Sequence, residues 1–297
     1  MTLEPRRRLF LEIITEPSVL GERAREWMRA GRSVGFAPTM GSLHAGHASL
    51  MALARERTEV VVASVFVNPT QFGPGEDLDA YPRDLEHDVA LAERVGVDVL
   101  FAPRPEAMYA PEAATWVEVP RLARHLCGAS RPTHFRGVCT VVSKLFLLVR
   151  PTLAVFGQKD WQQLAIIRRM NADLGFGVEI VGAPIVREAD GLALSSRNVR
   201  LTPAERTEAV GISRGLALAG ELVQRGERDA ECIVAEVRAR YAADMPSGVV
   251  DYLECVDPAT IEPVATIAGP VLFAAAVKFS AVRLIDNRYV DMPVASR

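Results

Sequence analysis

The sequence has only four cysteines and no close-set pair among them. Cys127, Cys139, Cys232 and Cys255 lie far apart, without a C-x-x-C pair. That argues against a disulfide framework and a zinc knuckle and leaves four reduced thiols. Long hydrophobic runs are missing too. The most apolar helix-like stretch, Val138 to Val149, is too short to span a bilayer and carries Lys144. With no apolar h-region near the N-terminus, secretion and membrane insertion find no support and a cytoplasmic setting is expected. Charge of one sign is not in excess. The net charge is −3, so bulk electrostatics gives no pull toward nucleic acid or an anionic membrane. Arg6 to Arg8 form a local basic spot that reads as a solvated tail. The sequence has no internal repeat and no low-complexity tract.

What is present suits an ordinary globular protein. The 297 residues are 49% apolar and 24% charged, enough to bury a real core in one large and one small domain. The first two-thirds alternate short apolar runs with helical patterns. Strands are predicted at Ser33–Ala37, Val60–Val67, Val97–Phe101, Leu153–Phe156 and Val178–Val181. Helices are predicted near Val19–Ala30, Ala48–Arg57, Asp84–Val95, Phe135–Val149 and Trp161–Leu174. Such alternation implies right-handed βαβ units around a parallel sheet, an α/β domain. After about Val186 the character changes. Thr202-Pro203 reads as an N-cap followed by Pro at the first helical position. A helix is expected from there to about Arg225 and a second from Asp229 toward Ala243. Strand-like runs follow at Val249–Val256, Val271–Val277 and Ala281–Leu284. This part reads as a smaller α+β domain, and the division is placed at 1–186 and 187–297.

The polar motifs fall at strand ends, where open parallel sheets bind ligands. Pro38-Thr39-Met40-Gly41-Ser42-Leu43-His44-Ala45-Gly46-His47 follows the first predicted strand and precedes a helix. A strand-to-helix turn aims free N–H groups and a positive helix end at one place, which suits a phosphate. Two of the chain's five histidines in that turn point to charge stabilisation during phosphoryl chemistry. A zinc site is the weaker alternative: H-x-x-H lacks the spacing of H-E-x-x-H, and Asp88 would have to serve as third ligand.

Asn68-Pro69-Thr70-Gln71-Phe72 follows the second strand; its amides can bind a substrate without a competing charge, though an Asn-Pro turn alone would look the same. Gly157-Gln158-Lys159-Asp160 follows the fourth. It is not a Walker loop, yet Lys159 can reach a polyphosphate as a point charge, while Asp160 is open to reading as an N-cap. Gln163 lies three residues on, on the same helical face. Ser195-Ser196-Arg197-Asn198 offers two hydroxyls and a guanidinium, a phosphate clamp or a capped interdomain linker. His134 and Arg136, in Thr133-His134-Phe135-Arg136-Gly137, suit an anion, a neighbouring subunit or a solvated loop equally well.

Taken in order, these motifs, with Tyr81-Pro82-Arg83 and Gln162-Gln163, resemble the pantothenate synthetase (pantoate–β-alanine ligase) family. The resemblance is strong from about Ser33 to Leu201 and looser beyond. It implies a Rossmann-like nucleotidyltransferase domain with a smaller C-terminal domain, usually as a homodimer. It implies that pantoate attacks the α-phosphorus of ATP to give pantoyl adenylate and pyrophosphate, and that β-alanine then yields pantothenate and AMP. By this resemblance His47 is the proton donor, with His44 beside it. Lys159, Ser195, Ser196 and Arg197 act on the phosphates. Met40, Gly41, Ser42, Leu43, His44, Ala45, Gly46, His47, Gly157, Gln158, Lys159, Asp160, Val186 and Leu194 to Arg197 form the ATP site. Gln71 and Gln163 hold pantoate, and Mg²⁺ rides on phosphate oxygens rather than in a protein cage. Lys159, Arg197, the imidazoles and the helix end are all expected to add positive potential. Four positions depart from the family pattern: Ala45, His87, Gln158 and Leu194, of which His87 changes charge near the pocket. A different nucleotidyltransferase, a non-catalytic nucleotide-binding paralogue and a metal-dependent hydrolase using His44, His47 and Asp88 are the competing readings.

Overall fold

Val60-Val61-Val62-Ala63 is apolar at every position, the pattern of a strand covered on both faces. In the computed structural model, which describes residues 11–291, all four side chains are buried in two different clusters. Arg6 to Arg8 lie outside the described residues. The elements run β1 (Glu12–Ile14), α1 (Pro17–Arg29), β2 (Val34–Thr39), α2 (Ala45–Arg57), β3 (Val60–Val65), α3 (Leu85–Arg94), β4 (Val99–Phe101), α4 (Pro105–Met108), α5 (Leu126–Ser130), α6 (His134–Val149), β5 (Leu153–Gly157), α7 (Trp161–Leu174) and β6 (Glu179–Ala183). Then come α8 (Pro203–Glu208), α9 (Val210–Gln224), α10 (Ala230–Asp244), β7 (Val249–Val256), β8 (Val271–Lys278) and β9 (Arg283–Val290).

The first six strands pair in the order β1-β4-β3-β2-β5-β6, all parallel. Val60 and Val62 face a core shared with α1, α6 and α7, and Val61 and Ala63 face one shared with α2 and α3. The chain leaves β2 for β3 on one side, while β5 flanks it on the other. That reversal opens a crevice beyond the carboxyl ends of β2 and β5, the place where doubly wound sheets bind ligands. The second sheet is antiparallel, β7-β8-β9. Its middle strand is apolar from Val271 to Val277 because it too is covered twice: Phe273, Ala275 and Val277 meet α9 and α10, while Leu272 and Ala274 join the core of the first sheet. The fold is thus an α/β Rossmann-like domain with a smaller α+β part.

Several predicted elements differ in extent. The sequence pattern does not predict β1; three residues carry too little periodicity. The helix expected to continue from Pro203 to Arg225 is divided at Ala209 into α8 and α9. Its start is as expected: Thr202 caps it, and Glu205 in return accepts from the Thr202 N–H. The last strand extends to Val290 rather than ending near Leu284, because Asp286 and Asn287 are buried with polar partners instead of terminating it. The helix expected from Ala48 begins at Ala45 and takes His47 into its first turn.

Candidate active site

The H-x-G-H turn caps its own helix. His44 is the N-cap of α2; its Nδ1 accepts from the Gly46 N–H at 3.1 Å, and His47 Nδ1 accepts from the His44 N–H at 3.3 Å. Both δ nitrogens are acceptors, so in the neutral rings the proton sits on Nε2. Both rings are indeed held neutral. Burial, then the nearby Lys159 charge, lowers His44 to about 4. Burial, then His44 and Lys159, lowers His47 to about 3. The imidazoles therefore present N–H donors at neutral pH, adding positive potential through those dipoles rather than through a full charge.

Ahead of the helix the backbone is bent hard. Gly41 has φ +82° and Ser42 φ +52°. A Cβ at Gly41 would lie 2.8 Å from Val65 Cγ1 and 2.9 Å from Asp88 Oδ2. Left-handed conformation is unfavourable for Ser42 and persists only where its surroundings impose it. Asp88 does so: its buried carboxylate accepts from the Ser42 N–H at 3.0 Å and the Leu43 N–H at 2.6 Å. Burial pushes this carboxyl above the usual value although both N–H groups pull it down. His87 adds a ring contact to the Leu43 carbonyl at 3.1 Å. Asp88 is thus a brace for the turn, and no group of three or more His, Cys, Asp or Glu able to hold a metal comes together among the described residues.

Across the crevice, Asn68 organises the strand end. Its amide donates to Gln71 Oε1 (3.1 Å) and the Gly137 carbonyl (3.2 Å), and its oxygen accepts from Thr70 and Tyr109 hydroxyls. Gln71 Nε2 is thereby turned toward Met40 Sδ, at 2.9 Å. His134 is buried, and its Nδ1 lies 2.9 Å from the Gln71 carbonyl. Arg136 turns away from the crevice and lies over the Trp116 ring. Gln162 is also structural: buried, it bonds the Cys127 N–H and the Leu122 and His125 carbonyls. Gln163 lines both cavities of the crevice, and Gln162 borders only the larger one.

Two cavities meet there. One, of about 230 Å³, is lined by Met40, His44, Gly46, His47, Gln71, Gly157, Lys159, Asp160, Gln163, Val186 and Leu194 to Arg197, with an apolar wall of Phe66, Val138, Val141, Val142 and Leu145. The second, of about 490 Å³, shares Met40, Gln71, Lys159, Asp160, Gln163, Ser195 and Arg197 and extends to Lys278, Arg283 and Asn287 of the second sheet. Gly41, Ser42, Leu43, Ala45 and Gln158 do not line either. The first three shape the turn behind the wall, and the Gln158 amide faces the Gly182 carbonyl at 3.4 Å. Asp160 stands at the helix start but makes no side-chain cap. Arg197 is engaged: its guanidinium makes two bonds to Asp77, at 2.9 and 3.0 Å, with Arg200 adding a third at 3.2 Å. Burial works to raise the Asp77 carboxyl, and the arginines override it and hold it below its usual value.

This crevice lies within the span matched by a family model. The model for pantoate-beta-alanine ligase fits residues 12–289. The chain belongs to the pantoate–β-alanine ligase family. It is 76% identical to the pantothenate synthetase of Solidesulfovibrio magneticus, over 95% of this chain and all of that one (100%). It is 57% identical to that of Nitratidesulfovibrio vulgaris, over 93% and 98%. Among solved structures, pantothenate synthetase from Thermus thermophilus superposes with a TM-score of 0.88 at 46% identity, covering 93% of this chain and 98% of that one. Pantoate-beta-alanine ligase from Francisella tularensis, complexed with beta-gamma ATP and beta-alanine, superposes at 0.76 with 30% identity, over 94% and 97%.

Membership in the ligase family does not by itself reveal the residues that hold this crevice in shape. Asp88, Asn68, Asp77 and Asn287 are such residues. Only Asn68 lies within a predicted site motif, and the signal for Asn287 is a polar pair interrupting an apolar strand pattern.

The buried imidazoles give a measurable pH dependence. The unfolded chain protonates histidine near 6.5, while the folded one keeps His44 neutral to about 4 and His47 to about 3. His134, buried beside Arg131, is likewise lowered to about 4. Between these values the unfolded state binds more protons, so stability falls as pH falls. Thermal midpoints are expected to drop steadily from about pH 6.5 toward 4, before most carboxylates titrate. A flat profile over that interval would contradict the buried, neutral state of these rings.

Proposed function

We propose that this chain joins (R)-pantoate to β-alanine at the expense of ATP, through a pantoyl-adenylate intermediate. The observation that carries the reading is the crevice itself. Lys159, two Nε2–H imidazoles, the Gln71 and Gln163 amides and an apolar wall all line one cavity with Met40. A small acid bearing methyl groups and hydroxyls fits the wall and the amides, since the wall takes the methyls and the amides take the oxygens. Polyphosphate fits the ammonium and the N–H donors.

A carboxylate is a poor acyl donor because its leaving group would be oxide. Attack of one pantoate oxygen on the α-phosphorus, with release of pyrophosphate, replaces that oxide with AMP. Neutral Gln71 and Gln163 bind the acid without ion-pairing the attacking oxygen. Charge building on the non-bridging oxygens is met by Lys159, Ser195, Ser196, Arg197 and the imidazole N–H groups, fixed donors in a water-poor site. The amine of β-alanine then attacks the acyl carbon and AMP leaves. Because His47 is neutral, we assign it N–H donation to a phosphate oxygen during adenylation.

Mg²⁺ is proposed as an ion carried by phosphate oxygens, where it neutralises charge. The donor set fits that placement, since cations and N–H groups rather than clustered carboxylates surround His44 and His47. We keep the division at 1–186 and 187–297, with the smaller part closing over the nucleotide and shielding the adenylate from water. We further propose a homodimer working in the cytoplasm, with the free thiols at Cys127, Cys139, Cys232 and Cys255 suited to a reducing compartment.

Pantoate-dependent exchange of labelled pyrophosphate into ATP, with Mg²⁺ and without β-alanine, tests the first half-reaction. Exchange is expected. Its absence in folded, ATP-binding protein, together with no AMP on adding β-alanine, would overturn the reading.

A further inference from the structure

The smaller sheet reaches the nucleotide side of the crevice through one buried amide. Asn287, on β9, is 5% exposed. Its Nδ2 donates to the Gln158 carbonyl at 2.8 Å and to the Lys159 carbonyl at 2.9 Å. Those carbonyls lie ahead of the N-cap of α7, outside its ladder. They belong to the 3-10 turn Gln158–Asp160 that leads into the helix. One amide NH₂ has two hydrogens and meets two successive carbonyls.

The contacts around this amide restrain its position. The preceding Asp286 is buried and takes two bonds from Arg187, at 2.7 and 3.0 Å. Two residues after Asn287, Tyr289 stacks on Trp161 with ring centroids 5.2 Å apart. The Trp161 indole N–H donates to the Pro258 carbonyl at 2.8 Å. On β9, Asp286, Asn287 and Tyr289 thus hold Arg187, the 158–159 backbone and the first residue of α7. Lys159 lies between the last two, on a short turn whose own side chains make no cap.

We infer that Asn287 is a positioning residue for Lys159: it fixes the backbone that aims the ammonium group at the phosphates, and so makes adenylation depend on the docking of the smaller sheet. This rests on the proposed role of Lys159. Asn287 touches no substrate in this scheme. Its effect passes through the orientation of another group, where a displacement of about 1 Å is enough to lower a rate a hundredfold.

The test uses the full chain and the exchange reaction. Asn287→Leu keeps the side-chain size and removes both donors. Its kcat is expected to fall about 10–100-fold, the equivalent of one or two lost hydrogen bonds, with KM for pantoate unchanged within about twofold. Lys159→Ala alone should lower kcat further, and adding Asn287→Leu to it should cost nothing more, because a residue acting only through Lys159 has nothing left to position. Asn287→Asp gives an independent reading should the leucine variant fold poorly. Its carboxylate faces two carbonyls at neutral pH, and protonation restores one donor, so its kcat should recover on acidification where the parent's does not. Additive losses in the double variant, unchanged kcat in Asn287→Leu, or no recovery of Asn287→Asp would overturn the inference while leaving Lys159 in place. A near-native Lys159→Ala would instead remove the reading of Lys159 on which it stands.

Discussion

Replacing His47 by alanine lowers kcat by a factor on the order of 10²–10³, the usual loss for one donor aimed at developing oxyanion charge. The ring is neutral, its pKa lowered to about 3, with Nδ1 committed to the His44 N–H. Nε2–H is therefore the atom free to meet a phosphate oxygen in the proposed role, and a donor that tightens as charge develops affects turnover more than substrate affinity. The same change removes half of the reciprocal cap on α2, a cost of about 1 kcal/mol. Calorimetry separates the two consequences: a midpoint lowered by a few degrees cannot account for a hundredfold rate loss in protein that remains folded at the assay temperature. Since the ring stays neutral well below physiological pH, it contributes no limb to the pH–rate profile between about pH 6 and 8. Near-native kcat in the variant would refute the assignment.

Gly137→Ala is expected to damage the protein although it adds one methyl. A Cβ at Gly137 would sit 2.3 Å from the Thr70 carbonyl oxygen, 2.5 Å from its carbon and 2.6 Å from Gln71 Cα. Every one of those atoms is backbone, so no rotamer change relieves the clash. The first turn of α6 must instead move off the Pro69–Gln71 turn, breaking the bond from Asn68 Nδ2 to the Gly137 carbonyl. Overpacking of this kind costs about 1–3 kcal/mol or more, read as a lower thermal midpoint. Because Gln71 moves with the turn, KM for pantoate should rise far more than KM for ATP. Native values of the midpoint and of both constants would show that α6 and the Asn68 turn do not press on each other.

The alternation of apolar runs with helical periodicity sufficed for five of the six strands of the parallel sheet, and two histidines at a strand end marked the crevice. Both are local patterns, readable within a dozen residues. The charge state of those histidines is not local. Their neutrality comes from desolvation and from Lys159, a neighbour only once the sheet has brought β5 beside β2. The same holds for Asp88, whose partners are 46 and 45 residues away. Asn287 and the Lys159 carbonyl are separated by 128. The carboxylate at Asp88 read as a possible ligand because a sequence shows its chemistry but not which N–H groups will consume its lone pairs. Likewise, the sequence pattern ends the last strand at Leu284 because burying Asp286 and Asn287 makes sense only beside Arg187 and the Gln158 and Lys159 carbonyls.

The Arg197–Asp77 pair bears on turnover. In this structure the Arg197 fork grips the Asp77 carboxylate, the geometry with which guanidinium holds a phosphate. On the phosphate role proposed for Arg197, nucleotide binding would exchange one counter-ion for another, and the affinity would reflect only the difference between two similar pairs. The same exchange would run backward as pyrophosphate departs, with Asp77 taking back the arginine. A tethered carboxylate that never diffuses away would then work as a built-in competitor that loosens the grip on the product.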